Sequence, residues 1–163
     1  MVDRLVDRLV ELGVDPKERS NDGWNPLHLA AENGHVVMVD RLVEFGVDPK
    51  QRSNDGWTPL HQAALKGHVA MVDRLVELGV DPRERSNDGW TPLRLAAQNG
   101  HVAMVDRLVE LGVDPKERSN DGWTLLHQAA TQGHVAMVDR LVELGVDPKE
   151  RSNDGWTPLH MAA

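Results

Sequence analysis

The sequence predicts an all-α fold, a solenoid of stacked helix-turn-helix units with short β-hairpin loops. Three observations lead there. A stretch of 33 residues recurs along the chain, with copies beginning at Ser20, Ser53, Ser86, Ser119 and, truncated, at Ser152. Each full copy holds two short helical patterns. Each is also punctuated by glycine and proline at the same places. A fixed period of this length is the signature of a repeat array. The copies at Ser53 and Ser119 differ at four positions only: Pro59/Leu125, Leu65/Thr131, Lys66/Gln132 and Arg83/Lys149.

The elements of one copy follow in order. Thr58-Pro59 opens the first helix, because Thr caps and Pro suits the first helical position, where its missing N–H has no partner to lose. Leu60, Ala63 and Ala64 share one face, and Gly67 ends the helix. A second helix is predicted over His68 to Leu78. Val69, Val72, Leu75 and Val76 form its apolar stripe, while Asp73, Arg74 and Glu77 face water. Gly79 stands where a left-handed C-terminal cap belongs. Val80-Asp81-Pro82 prevents the helix from continuing. Ser86-Asn87-Asp88-Gly89 reads as a tight turn, so Arg85 and Trp90 are expected to flank a small hairpin. One such unit has too little apolar surface to fold alone, and stacking buries one continuous core.

These residues resemble the ankyrin repeat. The resemblance rests on Thr-Pro-Leu-His at 58–61 and 157–160, Thr-Pro-Leu-Arg at 91–94, and the Ala-Ala, Gly-His, Val-Asp-Arg-Leu-Val and Gly-Val-Asp-Pro elements at matching offsets. It covers essentially the whole chain. Departures are Asn25 in place of Thr, Leu125 in place of Pro and Arg94 in place of His. The resemblance implies a non-catalytic protein-recognition role, with a concave groove lined by the hairpin tips and first helices. It also implies that the Thr-Pro-Leu-His imidazole hydrogen-bonds backbone and ties a turn to its neighbour.

The chain reads as one array over 1–163. Residues 1–19 are an N-terminal half copy, four full copies span 20–52, 53–85, 86–118 and 119–151, and residues 152–163 are a C-terminal half copy. Asp3-Arg4 replace the apolar Val-Ala found at 69–70, as a polar terminal cap requires. Met1 aligns with Gly67 and Ala163 with Ala64, so the two ends supply complementary halves short by two residues. Two readings remain open: head-to-tail self-association through these halves, or a monomer with a frayed last helix. Near-identity among copies arises from recent duplication and from consensus design alike.

Composition narrows the partner class. The chain has 163 residues, a formal net charge of −8 and no cysteine. Acidic balance argues against a nucleic-acid backbone as partner. No stretch is long and apolar enough to span a membrane, and no signal-peptide pattern follows Met1. With no cysteine there is no disulfide framework. Together these point to an intracellular setting.

Enzyme signatures are missing: there is no glycine-rich phosphate loop, no nucleophile elbow and no metalloprotease motif. Asn-Asp-Gly resembles part of a calcium loop, but Leu29 or Gln62 stands where the loop needs Glu. His61 and His68 recur seven residues apart, yet zinc needs three or four convergent ligands. No cofactor or metal is expected, and the expected partner is a protein or peptide.

Two sets of residues are candidates for binding it. The copies differ at four helix positions: His28, Leu29, Glu32, Asn33; His61, Gln62, Leu65, Lys66; Arg94, Leu95, Gln98, Asn99; and His127, Gln128, Thr131, Gln132. These offsets span one arc opposite the Leu/Ala face, which is expected to be exposed. The second set is Trp24, Trp57, Trp90, Trp123 and Trp156, at the base of each hairpin. Stacked helices lie about 8–10 Å apart, too far for the rings to stack on one another. Each Trp either packs on its own hairpin, over a guanidinium such as Arg52 or Arg85, or belongs to an exposed ladder that accepts a partner's side chains. Arg94 keeps a donor but loses the acceptor that His supplies.

Overall fold

The computed structural model describes residues 2–163, with side chains from Arg4 onward, so Met1 and the Asp3 side chain, both used in the end and cap readings, lie outside it. The described chain is helical, in the order α1 (Val2–Glu11), α2 (Pro26–Glu32), α3 (Val36–Glu44), α4 (Pro59–Lys66), α5 (Val69–Glu77), α6 (Pro92–Gln98), α7 (Val102–Glu110), α8 (Leu125–Thr131), α9 (Val135–Glu143) and α10 (Pro158–Ala162). First helices of neighbouring copies pack in a row, α2 on α4 on α6 on α8 on α10, and the first four each pair with the second helix of their own copy. The second helices form a parallel, looser row, α1 on α3 on α5 on α7 on α9.

Local chemistry sets the boundaries. Thr58 Oγ1 accepts the N–H of His61, and Pro59 fills the first helical position of α4. Asn25 caps α2 in the same way, its Oδ1 accepting the N–H of His28 at 3.0 Å. Gly67 ends α4 with φ +79°, a left-handed conformation in which a side chain is strained. At the far end of α5, Gly79 N–H bonds Val76 O and Val80 N–H bonds Leu75 O, both at 3.0 Å. That pair of bonds satisfies two of the helix's last carbonyls and turns the chain away.

The core is continuous from copy to copy. Leu60, Ala63 and Ala64 of α4 meet Met71, Val72 and Leu75 of α5, all fully buried, and the equivalents in α6 and α7 repeat the layer. Small Ala pairs let the first helices approach closely. Val47, Val80, Val113 and Val146 of the exit loops seal its edge. The expected stripe on α5 is displaced: Met71 is buried, whereas Val69 and Val76 are half-buried. Met71 belongs to the same continuous core cluster as Val72 and Leu75.

The loops differ from the hairpins expected. No strand occurs among the described residues. Ser86 N–H bonds Trp90 O at 2.8 Å and Gly89 N–H bonds Ser86 O at 2.9 Å, which closes a turn and nothing longer. The tip spends its other groups sideways. Asn87 N–H bonds Asp55 O of the preceding tip at 2.9 Å, and Asn87 Nδ2 bonds Asn54 O at 2.9 Å. Pairing therefore runs across copies, from tip to tip, rather than along a two-stranded hairpin.

Candidate functional site

The tips and the first helices share one set of hydrogen bonds. His61 lies fully buried at the third position of α4. Its Nδ1 accepts the N–H of Thr58 at 3.1 Å, which leaves Nε2–H to donate to Trp90 O of the next copy at 3.0 Å. His28 reaches Trp57 O at 3.1 Å and His127 reaches Trp156 O at 2.8 Å. The second histidine does a matching job between helix pairs: Nε2 of His68, His101 and His134 bonds Glu32 O, Leu65 O and Gln98 O, each at 2.9 Å. These imidazoles are spent on backbone. Among the described residues no group of three or more His, Cys, Asp or Glu is placed to hold a metal ion.

Burial sets the ionisation of the first-helix histidines. His61 is pushed down to about 4, mainly by desolvation, with its bond to Trp90 O partly opposing. His28 and His127 are lowered for the same first reason.

The tryptophans pack on these histidines rather than on arginines. Ring centroids are 4.8 Å apart for Trp24–His28, 5.6 Å for Trp57–His61 and for Trp123–His127, and 5.3 Å for Trp156–His160. Trp and His stand four residues apart across a helix start, a spacing that brings them together once the cap forms. Trp24, Trp57, Trp90 and Trp123 are half-buried and Trp156 is exposed. Trp90 has no such ring partner, because Arg94 stands where the histidine would be.

The variable arc is only partly exposed, which corrects the expectation from helix geometry alone. Arg94, Leu95 and Gln62 are 2%, 3% and 8% exposed. α4, α6 and α8 are each sandwiched between two other first helices, so neighbours cover most of their circumference. Gln128, Leu65 and Gln98 are half-buried, while Lys66, Asn99, Thr131 and Gln132 at the helix ends are exposed. Apart from Leu29 and Trp156, the exposed candidates gather at the C-terminal ends of the first helices, away from the Trp rings at the N-terminal ends.

Arg94 reorganises its surroundings. Its Nη2 donates to Trp123 O at 3.0 Å, taking over the histidine's bond to the next copy. It gives Thr91 N–H no acceptor, and α6 lacks the reciprocal cap seen in α4. Its Nε is buried without a partner, 3.8 Å from Glu117 Oε1. Glu117 is drawn inward, also accepting from Thr91 Oγ1, and burial raises its pKa. At the other junctions the glutamate pairs outward, Glu84 with Arg52 and Glu150 with Arg118.

On the opposite side the second helices carry an ion-pair ladder. Arg41, Arg74, Arg107 and Arg140 each place Nε 2.6 Å from an aspartate of the preceding helix: Asp7, Asp40, Asp73 and Asp106. Sequence spacing put these side chains in water, and they remain partly exposed there while linking neighbouring copies.

Among the described residues no helix is long and apolar enough to cross a membrane. No curated protein matches the chain. The family model for ankyrin repeats (3 copies) matches three overlapping stretches, residues 2–86, 39–119 and 104–163. Ankyrin repeats are generally protein–protein interaction modules and are typically non-enzymatic. By these matches, and by its row of stacked helix pairs, the chain belongs to the ankyrin-repeat family.

Proposed function

We propose that this chain is a non-catalytic recognition scaffold that binds a protein or peptide partner along its turn tips and first helices. It works as a single array, residues 1–163, with full copies at 20–52, 53–85, 86–118 and 119–151 and half copies at 1–19 and 152–163. The carrying observation is where the copies differ. The frame of caps, histidine bonds and Leu/Ala core repeats with little change, while side-chain chemistry varies at exposed helix ends: Lys66, Asn99, Thr131 and Gln132. The half-buried Trp57, Trp90 and Trp123 add large, rigid aromatic area of the kind that dominates interface energetics.

The test is selection from a displayed random-peptide library against the immobilised chain, followed by titration calorimetry of the selected peptides. Replacing Trp57, Trp90 and Trp123 together with Ala is expected to weaken them by at least ~10-fold with unchanged far-UV circular dichroism. Selected peptides that bind the triple variant equally well would overturn the reading.

A second reading, a self-associating array, is favoured by one observation. Leu159 on α10 is 79% exposed and Leu5 on α1 is 59% exposed, so apolar surface lies open on both terminal helices. Mass by light scattering that rises with concentration would support it. A constant mass of one chain would remove it.

A further inference from the structure

The tip-to-tip pairing that joins the turns is interrupted once. Asn54 N–H bonds Asp22 O, Asn87 N–H bonds Asp55 O and Asn153 N–H bonds Asp121 O, each at 2.9 Å. The matching side-chain bonds, from Asn54, Asn87 and Asn153 to the carbonyls of Asn21, Asn54 and Asn120, are also 2.9 Å. Among the described residues, neither bond forms between Asn120 and the tip at Asn87-Asp88. Glycine surroundings report the same gap. A Cβ built on Gly56 or Gly122 would lie 2.5 Å from the Oδ1 of Asn87 or Asn153, whereas one on Gly89 would meet nothing within 4 Å. Ser119, the first residue of the displaced tip, is half-buried, while Ser53, Ser86 and Ser152 are each buried to 6% exposure.

The break falls at the junction where Arg94 replaces the histidine, and there a longer guanidinium makes the bond to Trp123 O. The helices beneath stay packed, α6 on α8, so only the tips part. The opening is a cleft of about 250 Å³ whose lining includes Asp88, Trp90, Arg94, Asp121, Trp123 and Gln128.

We propose that this cleft receives an extended peptide segment carrying a lysine or arginine, a site-specific form of the recognition role above and dependent on it. Three features select that occupant. The parted tips leave both kinds of main-chain group without a protein partner: the Asn120 N–H on one side, the Asp88 and Asn87 carbonyls on the other. A peptide backbone offers donors and acceptors in alternation and can bond to both, as strand addition does elsewhere. An anion would satisfy only the donors and would face two carboxylates. Those carboxylates, Asp88 and Asp121, are exposed at the rim and attract a cation. The guanidinium that lines the cleft is offset by Glu117 beside it. Trp90 and Trp123 supply aromatic faces on which an ammonium or guanidinium is favoured.

The probes are two blocked pentapeptides, acetyl-Thr-Lys-Val-Lys-Thr-amide and its Glu-for-Lys counterpart, titrated into the isotopically labelled full chain and followed by amide and indole NMR shifts. The lysine peptide is expected to shift Asp88, Asn120 and the Trp90 and Trp123 indoles, with the glutamate peptide at least ~10-fold weaker. Arg94→His, which restores the residue found in the other copies, closes the tips and is expected to abolish those shifts. Conversely, His61→Arg is expected to open a second cleft and to add shifts at Asp55 and Asn87. Equal shifts at every tip, or shifts that survive Arg94→His, would overturn the cleft while leaving the scaffold reading intact. No shift at the cleft with the lysine peptide also overturns it, and the library selection then decides the scaffold reading separately.

Discussion

Nε2 of His61 lies 3.0 Å from the carbonyl oxygen of Trp90, 29 residues further along the chain. On the same ring, Nδ1 accepts the N–H of Thr58. One neutral imidazole thus closes the cap of its own helix and ties down the next turn. The arrangement works only with one proton on the ring, because a protonated Nδ1 cannot accept. This makes the stack pH-sensitive, and it explains why replacing one histidine alters a whole junction.

Stability is expected to fall as the pH falls below neutrality. His61 titrates near 4 in the folded chain and near 6.5 when unfolded. Between those values the unfolded chain binds more protons, so stability is complete above about pH 6.5 and is lost progressively towards pH 4. His61 alone contributes a loss of about 2 kcal/mol between pH 7 and pH 5, and His28 and His127, lowered in the same direction, add to it. Urea denaturation at pH 7 and pH 5 measures this. Equal stability at the two values would contradict the neutral-imidazole account.

Arg94→His is expected to stabilise the chain by about 1–2 kcal/mol. It removes a buried Nε with no partner and restores an acceptor for Thr91 N–H, and an unsatisfied buried polar group costs about 1–3 kcal/mol. Thermal and urea melts check it. An unchanged or lower midpoint would show that Glu117 and Trp123 O already compensate the guanidinium.

Two glycine substitutions separate backbone strain from packing. Gly67 and Gly133 both have positive φ, +79° and +73°. A Cβ on Gly67 would lie 2.8 Å from His101 Nδ1, whereas one on Gly133 would meet nothing within 4 Å. Gly133→Ala should cost about 1 kcal/mol for the left-handed backbone alone. Gly67→Ala should cost roughly twice that or more, because it also displaces the His101 ring that bonds Leu65 O. Equal costs in denaturant melts would mean that the ring yields freely.

The arginine ladder should matter little in free energy. Arg107 pairs with Asp73 and Glu110 but remains partly exposed. Arg107→Ala is expected to leave the urea midpoint nearly unchanged, because solvent screens an exposed ion pair. Its effect should shrink further at roughly 1 M salt, where charges are screened within ~3 Å. A salt-independent loss would point instead to packing of the arginine stem.

The period, the two helices of each copy and their ends could be read from the sequence alone. Thr-Pro at a helix start, glycine at its end and Leu/Ala on one face are local signals, and the bonds that enforce them close within a few residues. What lay on the far side of each residue could not be read that way. Leu95 and Gln62 sit on the polar side of a lone helix and are buried because α4 and α6 are each flanked by two others. The Trp rings chose histidine over arginine because the capped helix start brings residues four apart together. The parted turns at Asn87-Asp88 and Asn120 were the least legible feature. A single Arg-for-His difference marks them in the sequence, but the bonds missing there run from turn to turn and exist only once the copies are stacked.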